Sequence, residues 1–174
     1  MSGVVWVSKY VEFTDYSAIV KTTLEEKALS FLEEVGGEIR SQTQRLSRRD
    51  TSQTAGSYQY KVDASGLAVH IGSDYPNAIF EEFGTGEHAL NKNGRKGYWV
   101  YVKGQKGNLQ TLSGSGGGRS YSLGEAKKIV AIMRSKGLNA FYTKGKKPNR
   151  PLFKAFTAMK PKIQKVAETY FGGI

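Results

Sequence analysis

The stretch from Val69 to Leu90, VHIGSDYPNAIFEEFGTGEHAL, constrains the fold more than any other part of the chain. It begins as a strand, because the segment LAVHI alternates apolar residues with small or polar ones. Asp74 is placed to cap a short helix, with Pro76 near its first position, where the missing N–H of proline costs least. Gly84-Thr85-Gly86 ends that helix and permits a sharp exit. The stretch therefore predicts a strand, a short helix and a chain reversal.

The short helix is predicted to bury an apolar stripe and to carry no catalytic pair. Ile79, Phe80 and Phe83 form the stripe, at positions i, i+1 and i+4. Glu81 and Glu82 lie largely on the other side. Since adjacent helical residues point in different directions, these two carboxylates cannot act together as acid and base on one substrate atom.

The clearest helix in the sequence runs from Leu24 to Leu46, where apolar residues recur at helical spacing. Thr22 or Thr23 can cap its start. Gly36-Gly37 lies in the middle of the pattern and permits either a kink or a close approach of another backbone. This helix is expected to form a large part of the core.

Two further helices are predicted in the second half of the chain. The segment Tyr121–Lys136 begins with Ser122 and Glu125, three residues apart, which is the spacing of a capping box. Pro151 begins the last helix. Because Pro161 falls inside its apolar pattern, a kink or a break is expected there.

Alternating aromatic and β-branched residues predict the strands. The N-terminal pattern gives one strand or two short ones, and four later segments form two pairs. The segments are Val4–Phe13, then Tyr58–Val62 returning through Leu67–Ile71, and Tyr98–Val102 pairing with Leu138–Thr143.

These elements indicate an α+β fold in one domain spanning residues 1–174. A small, mostly antiparallel sheet is packed by the long N-terminal helix and the C-terminal helix, with the helix at about 121–136 inserted in the second half. Residues 50–57 are expected to form a polar loop. The glycine- and serine-rich segment at about 104–120 is expected to be a flexible surface loop.

Charge is distributed very unevenly along the chain. The net charge is +11, yet residues 1–90 hold 8 Lys and Arg against 13 Asp and Glu, a net of −5. Residues 91–174 hold 18 against 2, a net of +16. A chain polarised in this way favours stacking of acidic face on basic face, or contact of its basic half with DNA or an acidic partner.

Composition excludes several kinds of site. The chain has no cysteine, which removes disulfides, thiolate zinc sites and cysteine nucleophiles. It has only two histidines, His70 and His88, so we expect no metal and no cofactor. The glycine-rich loop lacks phosphate-loop spacing. No apolar run approaches the roughly 20 residues that span a bilayer, and the N-terminus lacks the pattern of a signal peptide.

The ordered motifs of the chain resemble a known family. The sequence IGSDYPNAIFEEFGTG, the basic segment GRKGYWVYVKG and the segment KPNRPLFKAF occur in that order. This set is similar to the tailed-bacteriophage tail-completion family, also called neck or head–tail joining minor tail proteins. The resemblance marks the following positions as family-motif or interface residues: Asp74, Ala78, Glu82, Phe83, Gly84, Thr85, Gly86, Arg95, Lys96, Trp99, Lys147, Arg150 and Pro151.

The resemblance implies a structural protein of the virion neck or tail, made in the host cytoplasm, that performs no catalysis. Such a subunit would self-associate, as a ring, and contact head-closure or connector, tail-terminator and tail-tube proteins. Packaged double-stranded DNA in the channel is a further possible partner, and no membrane is involved.

Two alternatives remain open from the residues alone. The basic half favours a nucleic-acid-binding module that contacts phage DNA. A nuclease that uses Glu81, Glu82 or Asp74 with Mg²⁺ has less support, because nothing in the sequence brings these carboxylates together.

Overall fold

The computed structural model describes residues 4–8, 11–48, 52–103 and 119–172, with side chains from residue 14 onward. It confirms the mixed class of fold, with a long N-terminal helix that packs against a C-terminal helix and against strands. The elements in chain order are β1 (Val4–Ser8), β2 (Val11–Asp15), α1 (Ser17–Leu46), α2 (Gln53–Gly56), β3 (Tyr58–Asp63), β4 (Ala68–Ser73), α3 (Pro76–Phe83), a 3₁₀ turn (Gly86–His88), β5 (Trp99–Val102), α4 (Leu123–Ser135), β6 (Ala140–Thr143) and α5 (Pro151–Phe171).

The chain packs into two compact units. Unit 1 comprises Met1–Asp74 and Pro151–Ile174, and unit 2 comprises Tyr75–Arg150. The single domain predicted from the sequence stays a prediction. In the parts of the chain that the structure describes, no helix is both long and apolar enough to cross a membrane. Most of the predicted loop at 104–120 lies outside the described residues.

The two predicted strand pairs, β3 with β4 and β5 with β6, are confirmed, and each is antiparallel. The N-terminal pattern gives two short strands, β1 and β2, which also pair, so these six strands form three separate two-stranded sheets. In the second pair Tyr58 lies opposite Ser73, and in the third Trp99 lies opposite Thr143.

Unit 1 is held together by α1, which packs along α5 and also against β3 and β4. The buried cluster between these elements consists of Val35, Ile39 and Ala155, and it is surrounded by partly buried apolar side chains. Ile71 of β4 lies among these side chains. Helix α1 therefore packs against both the β3–β4 pair and the last helix.

The prediction that α1 starts at Leu24 is wrong by seven residues, because the helix begins at Ser17. The carboxylate of Asp15 accepts a hydrogen bond from the Ser17 N–H at 2.8 Å, and this interaction lowers the pKa of Asp15. Thr22 and Thr23 do not cap the helix. Their hydroxyls instead donate to the carbonyls four residues earlier, at 3.0 and 2.9 Å.

Two other sequence expectations are corrected in unit 1. Residues 53–56, expected in a loop, form the single helical turn α2. Of the kink or break expected at Pro161, the break does not occur, because α5 is continuous from Pro151 to Phe171, and the kink stays a prediction. Met159 and Ile163, on either side of this proline, both pack against the core. That packing offsets the roughly 3 kcal/mol that an internal proline costs a helix.

Unit 2 has a core of its own between α4 and the β5–β6 ribbon. Its buried residues are Val100, Ala126, Val130, Met133 and Ala140. The predicted capping box at the start of α4 is confirmed. Ser122 accepts from the Glu125 N–H, and the Glu125 carboxylate accepts from the Ser122 N–H at 2.9 Å.

The paired glycines in α1 have different surroundings. A Cβ on Gly36 would lie 2.6 Å from Tyr60 Cδ2 and 2.8 Å from Val69 Cγ2, so the helix approaches the side chains of the β3–β4 ribbon there. A Cβ on Gly37 would have its nearest neighbours in Tyr60 at 3.9 Å. Of the two outcomes left open by the sequence, close approach applies to Gly36, and side chains rather than a backbone make it.

We expect Gly36→Ala to be less stable than Gly37→Ala by about 1–3 kcal/mol, the usual cost of overpacking a core. Both variants gain the same helix propensity, so this gain cancels in the comparison. Urea denaturation followed by circular dichroism measures the difference. Equal stability of the two variants would show that α1 does not pack on the ribbon in this way.

Candidate functional site

The start of α3 departs from the prediction. The residue that caps it is Tyr75, which has an extended backbone and makes no side-chain capping bond, and Pro76 occupies the first turn as predicted. Asp74 is exposed and lies one residue too early to act as the cap. The predicted capping role of Asp74 is therefore wrong.

The buried face of α3 is also not the predicted one. Ala78 and Glu81 are buried, with exposed fractions of 6% and 1%. Ile79, Phe80 and Phe83 are exposed at 57%, 47% and 55%. Because α3 has only eight residues, it buries one narrow strip made by positions three apart. Its apolar stripe is left at the surface of the described chain.

Glu81 joins α3 to the segment that precedes α5. Its carboxylate accepts a hydrogen bond from Asn149 Nδ2 at 3.0 Å. Its backbone carbonyl accepts from the N–H groups of Asn149 and Arg150, at 2.8 and 3.2 Å. The expectation that Glu81 lies on the solvent side is wrong, and this carboxylate serves a structural role.

The glycine turn after α3 pairs with the basic segment that follows β6. The Thr85 N–H donates to the Lys146 carbonyl at 2.9 Å, and the Lys146 N–H donates to Thr85 Oγ1 at 2.9 Å. The Glu87 N–H donates to the Lys144 carbonyl at 2.9 Å. Two loops that are 61 residues apart in sequence are thereby fixed to each other.

Glycine is required on both sides of this pairing. Gly84 has φ +73°, and a Cβ there would lie 2.9 Å from the Lys146 carbonyl oxygen. Gly145 has φ +129°, and a Cβ on it would collide with the Thr85 carbonyl. Any other residue at these positions would strain the backbone and separate the loops.

Glu87 connects this pairing to the basic segment before β5. Its carboxylate accepts from the Gly97 N–H at 3.1 Å and forms an ion pair with Lys144 Nζ at 3.4 Å. The Gly97 N–H is the main reason that the pKa of Glu87 is lowered from its ordinary value, and Lys144 adds to the effect.

The second motif segment, GRKGYWVYVKG, adjoins the same turn through Trp99. A Cβ on Gly86 would lie 2.7 Å from Trp99 Cη2, so the indole packs directly on the turn. The Arg95 guanidinium lies 5.1 Å from the centre of the Trp99 ring. Arg95 also donates to Ser120 Oγ at 3.2 Å and to the Arg119 carbonyl.

The structure therefore brings together five of the thirteen residues that the resemblance marks. Gly84, Thr85, Gly86, Arg95 and Trp99 belong to one cluster in unit 2. On α3, Ala78 is buried, Glu82 is half-buried and Phe83 is exposed. The Arg150 N–H donates to the Glu81 carbonyl. Lys96 and Lys147 are exposed beside these segments. Asp74 and Pro151 belong to unit 1.

Sequence reasoning missed the residues that contact or bond to the cluster outside the resemblance motifs. These are Glu81, Glu87, Lys144, Gly145 and Asn149. The spacing of Ala78 and Glu81 was a usable signal, since a small residue and a carboxylate three apart share one helix face. Nothing local indicates the partner of Glu81, which is 68 residues away.

The cluster offers structural hydrogen bonds rather than reactive groups. In the described residues, no group of three or more His, Asp or Glu side chains is arranged to hold a metal ion. His88 lies in the 3₁₀ turn and is half-buried, whereas His70 lies exposed in β4.

Comparisons with protein-family models, with curated proteins and with solved structures find no match for this chain. The family resemblance of its motifs therefore stays a prediction.

The lowered pKa of Glu87 predicts acid sensitivity. A carboxyl group whose pKa is lower in the folded state stabilises the fold above its unfolded pKa, about 4.3 for Glu. This stability is lost as the pH falls through the folded pKa. We expect Glu87→Gln to lose less stability than the wild type between about pH 5 and pH 3, as measured by urea unfolding.

Lys144→Met serves as the control, because it removes the ion pair and keeps the Gly97 N–H donor. This variant should retain most of the wild-type acid sensitivity. Identical acid profiles for the wild type and Glu87→Gln would refute the assignment.

Asn149→Ala tests the structural role of Glu81. The substitution removes a donor to a carboxylate that is 1% exposed. Loss of such a partner costs about 1–3 kcal/mol. Thermal and urea unfolding should show this loss, whereas Asn139→Ala, at an exposed site, should be nearly neutral, since it keeps the backbone carbonyl that bonds to Lys103. A neutral Asn149→Ala would mean that this hydrogen bond does not hold the segment.

Proposed function

We propose that this protein is a structural subunit of a tailed bacteriophage or prophage particle. It completes the tail and joins head to tail by self-associating into a ring at the neck. Its partners are further copies of itself, head-closure or connector proteins, tail-terminator and tail-tube proteins. It turns over no substrate.

The observation that carries the proposal is that the Glu-Phe-Gly-Thr-Gly motif, Glu82–Gly86, has a structural role. Glu81, which precedes the motif, is buried and bonded to Asn149. The glycines of the motif let the turn pair with the segment after β6. The motif thus acts as a framework. It holds Phe80 and Phe83 at the surface, and an exposed aromatic pair on a fixed helix is typical of a protein–protein contact.

Charge supports association between copies. Residues 75–150, which form unit 2, carry 14 Lys and Arg against 4 Asp and Glu, whereas the residues of unit 1, 1–74 and 151–174, carry 12 against 11. A cationic unit and a nearly neutral unit in one chain favour a heterologous contact, in which one surface meets a different surface of the next copy, because two cationic surfaces repel each other. Such contacts close into rings when the rotation between copies allows it.

DNA binding is the second candidate function. Exposed Lys96, Lys146 and Lys147 lie on the loops of the cluster, and Arg95 stacks on Trp99. A filter-binding titration tests this function, since affinity that depends on phosphate contacts falls steeply with added salt. Absence of binding at low ionic strength would remove it.

We expect the protein to enter assembled particles. Co-expression with the head-connector and tail-tube proteins of the same genome should give a complex that co-sediments and contains this chain in several copies. Omission of the chain should leave heads and tails unjoined in negative-stain images. Normal joined particles in its absence would refute the proposed function.

A further inference from the structure

The β5–β6 ribbon of unit 2 has two unlike faces. One face packs on α4, because Val100 and Ala140 are buried there with residues of that helix. The side chains that alternate with these lie on the opposite side of the ribbon, and three of the four are aromatic. This aromatic face consists of Trp99, Tyr101, Phe141 and Thr143. All four residues are half-buried, so each keeps part of its surface in contact with solvent.

Rings and guanidinium groups are layered on the aromatic face. The rings of Tyr101 and Phe141 are stacked, with centres 5.7 Å apart and 28° between their planes. The Arg134 guanidinium lies 5.2 Å from the centre of the Phe141 ring, as Arg95 lies over Trp99. Each of the two guanidinium groups also donates to a backbone carbonyl, which holds it in place. Aromatic rings and guanidinium planes are the surfaces on which proteins stack unpaired bases.

The charge around the aromatic face is positive and is not balanced by nearby acids. Unit 2 carries 14 Lys and Arg against 4 Asp and Glu. Three of the four carboxylates, those of Glu81, Glu87 and Glu125, already accept hydrogen bonds from donors within unit 2. Residues 98–103 and 138–144, which include both strands, hold two lysines and no acid. The charge therefore favours a polyanion as the ligand of this face.

We propose that the aromatic face binds single-stranded DNA. One base stacks on the Arg95 guanidinium over Trp99, and another stacks on the Tyr101 and Phe141 pair beside Arg134. The phosphates face the arginines and lysines around the ribbon. Bases in a duplex are stacked on one another, so double-stranded DNA does not offer these free faces. The inference narrows the second candidate function, DNA binding, to one surface and one form of DNA, and it does not depend on assembly into particles.

The aromatic face favours DNA over RNA. Proteins that select RNA do so through hydrogen bonds to its 2′-hydroxyl groups. Of the four residues of the face, Thr143 alone has an aliphatic hydroxyl, and this group accepts a hydrogen bond from the Gly145 N–H at 3.1 Å. Because the hydroxyl is engaged within the protein, RNA gains no contact that DNA lacks.

Two identical substitutions on opposite faces of the ribbon test the site. We expect Tyr101→Leu in the full-length protein to weaken binding of a labelled oligo(dT) of about 16 nucleotides by about 5-fold or more, the effect of losing one stacking ring. Fluorescence anisotropy measures the affinity. Tyr142→Leu is the matched control, because Tyr142 lies on the α4 side of the ribbon and also loses one ring contact, with Tyr98. It should bind like the wild type, and equal effects of the two variants would overturn the inference.

Trp99 gives a second readout that leaves the aromatic face intact. The chain has two tryptophans, so Trp6→Phe makes Trp99 the sole source of indole emission. A base bound beside the indole should quench this emission, and added salt, which releases the strand, should restore it. Unchanged emission under conditions where anisotropy shows that oligo(dT) is bound would place the strand elsewhere and overturn the inference.

The possible outcomes separate this inference from both candidate functions. A duplex of the same length should bind more weakly than the single strand at the same salt concentration. Equal binding of duplex and single strand, unaffected by Tyr101→Leu, would overturn the inference and leave DNA binding as the second candidate function. Absence of all DNA binding would remove both, whereas entry into assembled particles would still support the proposed structural role. Tighter binding of oligo(U) than of oligo(dT) would overturn the assignment to DNA.

Discussion

The pairing of the Gly84–Gly86 turn with the segment Lys144–Lys146 determines the arrangement of unit 2. Two backbone hydrogen bonds and one to the Thr85 hydroxyl close a loop of about 60 residues, which has a large entropic cost. The β5–β6 ribbon and α4 lie between the two ends and form their own core, which contributes much of the offsetting stability. With the ends joined, α3 has a fixed position and its aromatic side chains face outward.

The sequence predicted which segments form helices and strands better than it predicted which distant residues contact each other. Both later strand pairs, the capping box of α4 and the helical nature of α1 follow from alternation, helical period and capping chemistry. These signals are local, so they survive in the structure. The early start of α1 was missed because Ser17–Thr23 has no strong apolar period, and Asp15 supplies the stabilising contact just before it.

The errors at the candidate site have one physical cause. Periodicity identified the apolar face of α3 correctly but assumed that an apolar face is a buried face. Whether Ile79, Phe80 and Phe83 find partners depends on distant parts of the chain, and in the described residues they remain exposed. Glu81 shows the converse, because a charged residue becomes buried once Asn149 offers a hydrogen bond.

Framework and surface have separate roles in this account. Glycines, a buried carboxylate and backbone hydrogen bonds hold the site, while the exposed aromatic and basic side chains are the surface that we propose for the contact with the next subunit. Electron cryo-microscopy of the assembled particle tests this most directly. We expect Phe80 and Phe83 of each copy to be buried against a neighbouring subunit. Exposure of both side chains to solvent in the assembled particle would contradict the account.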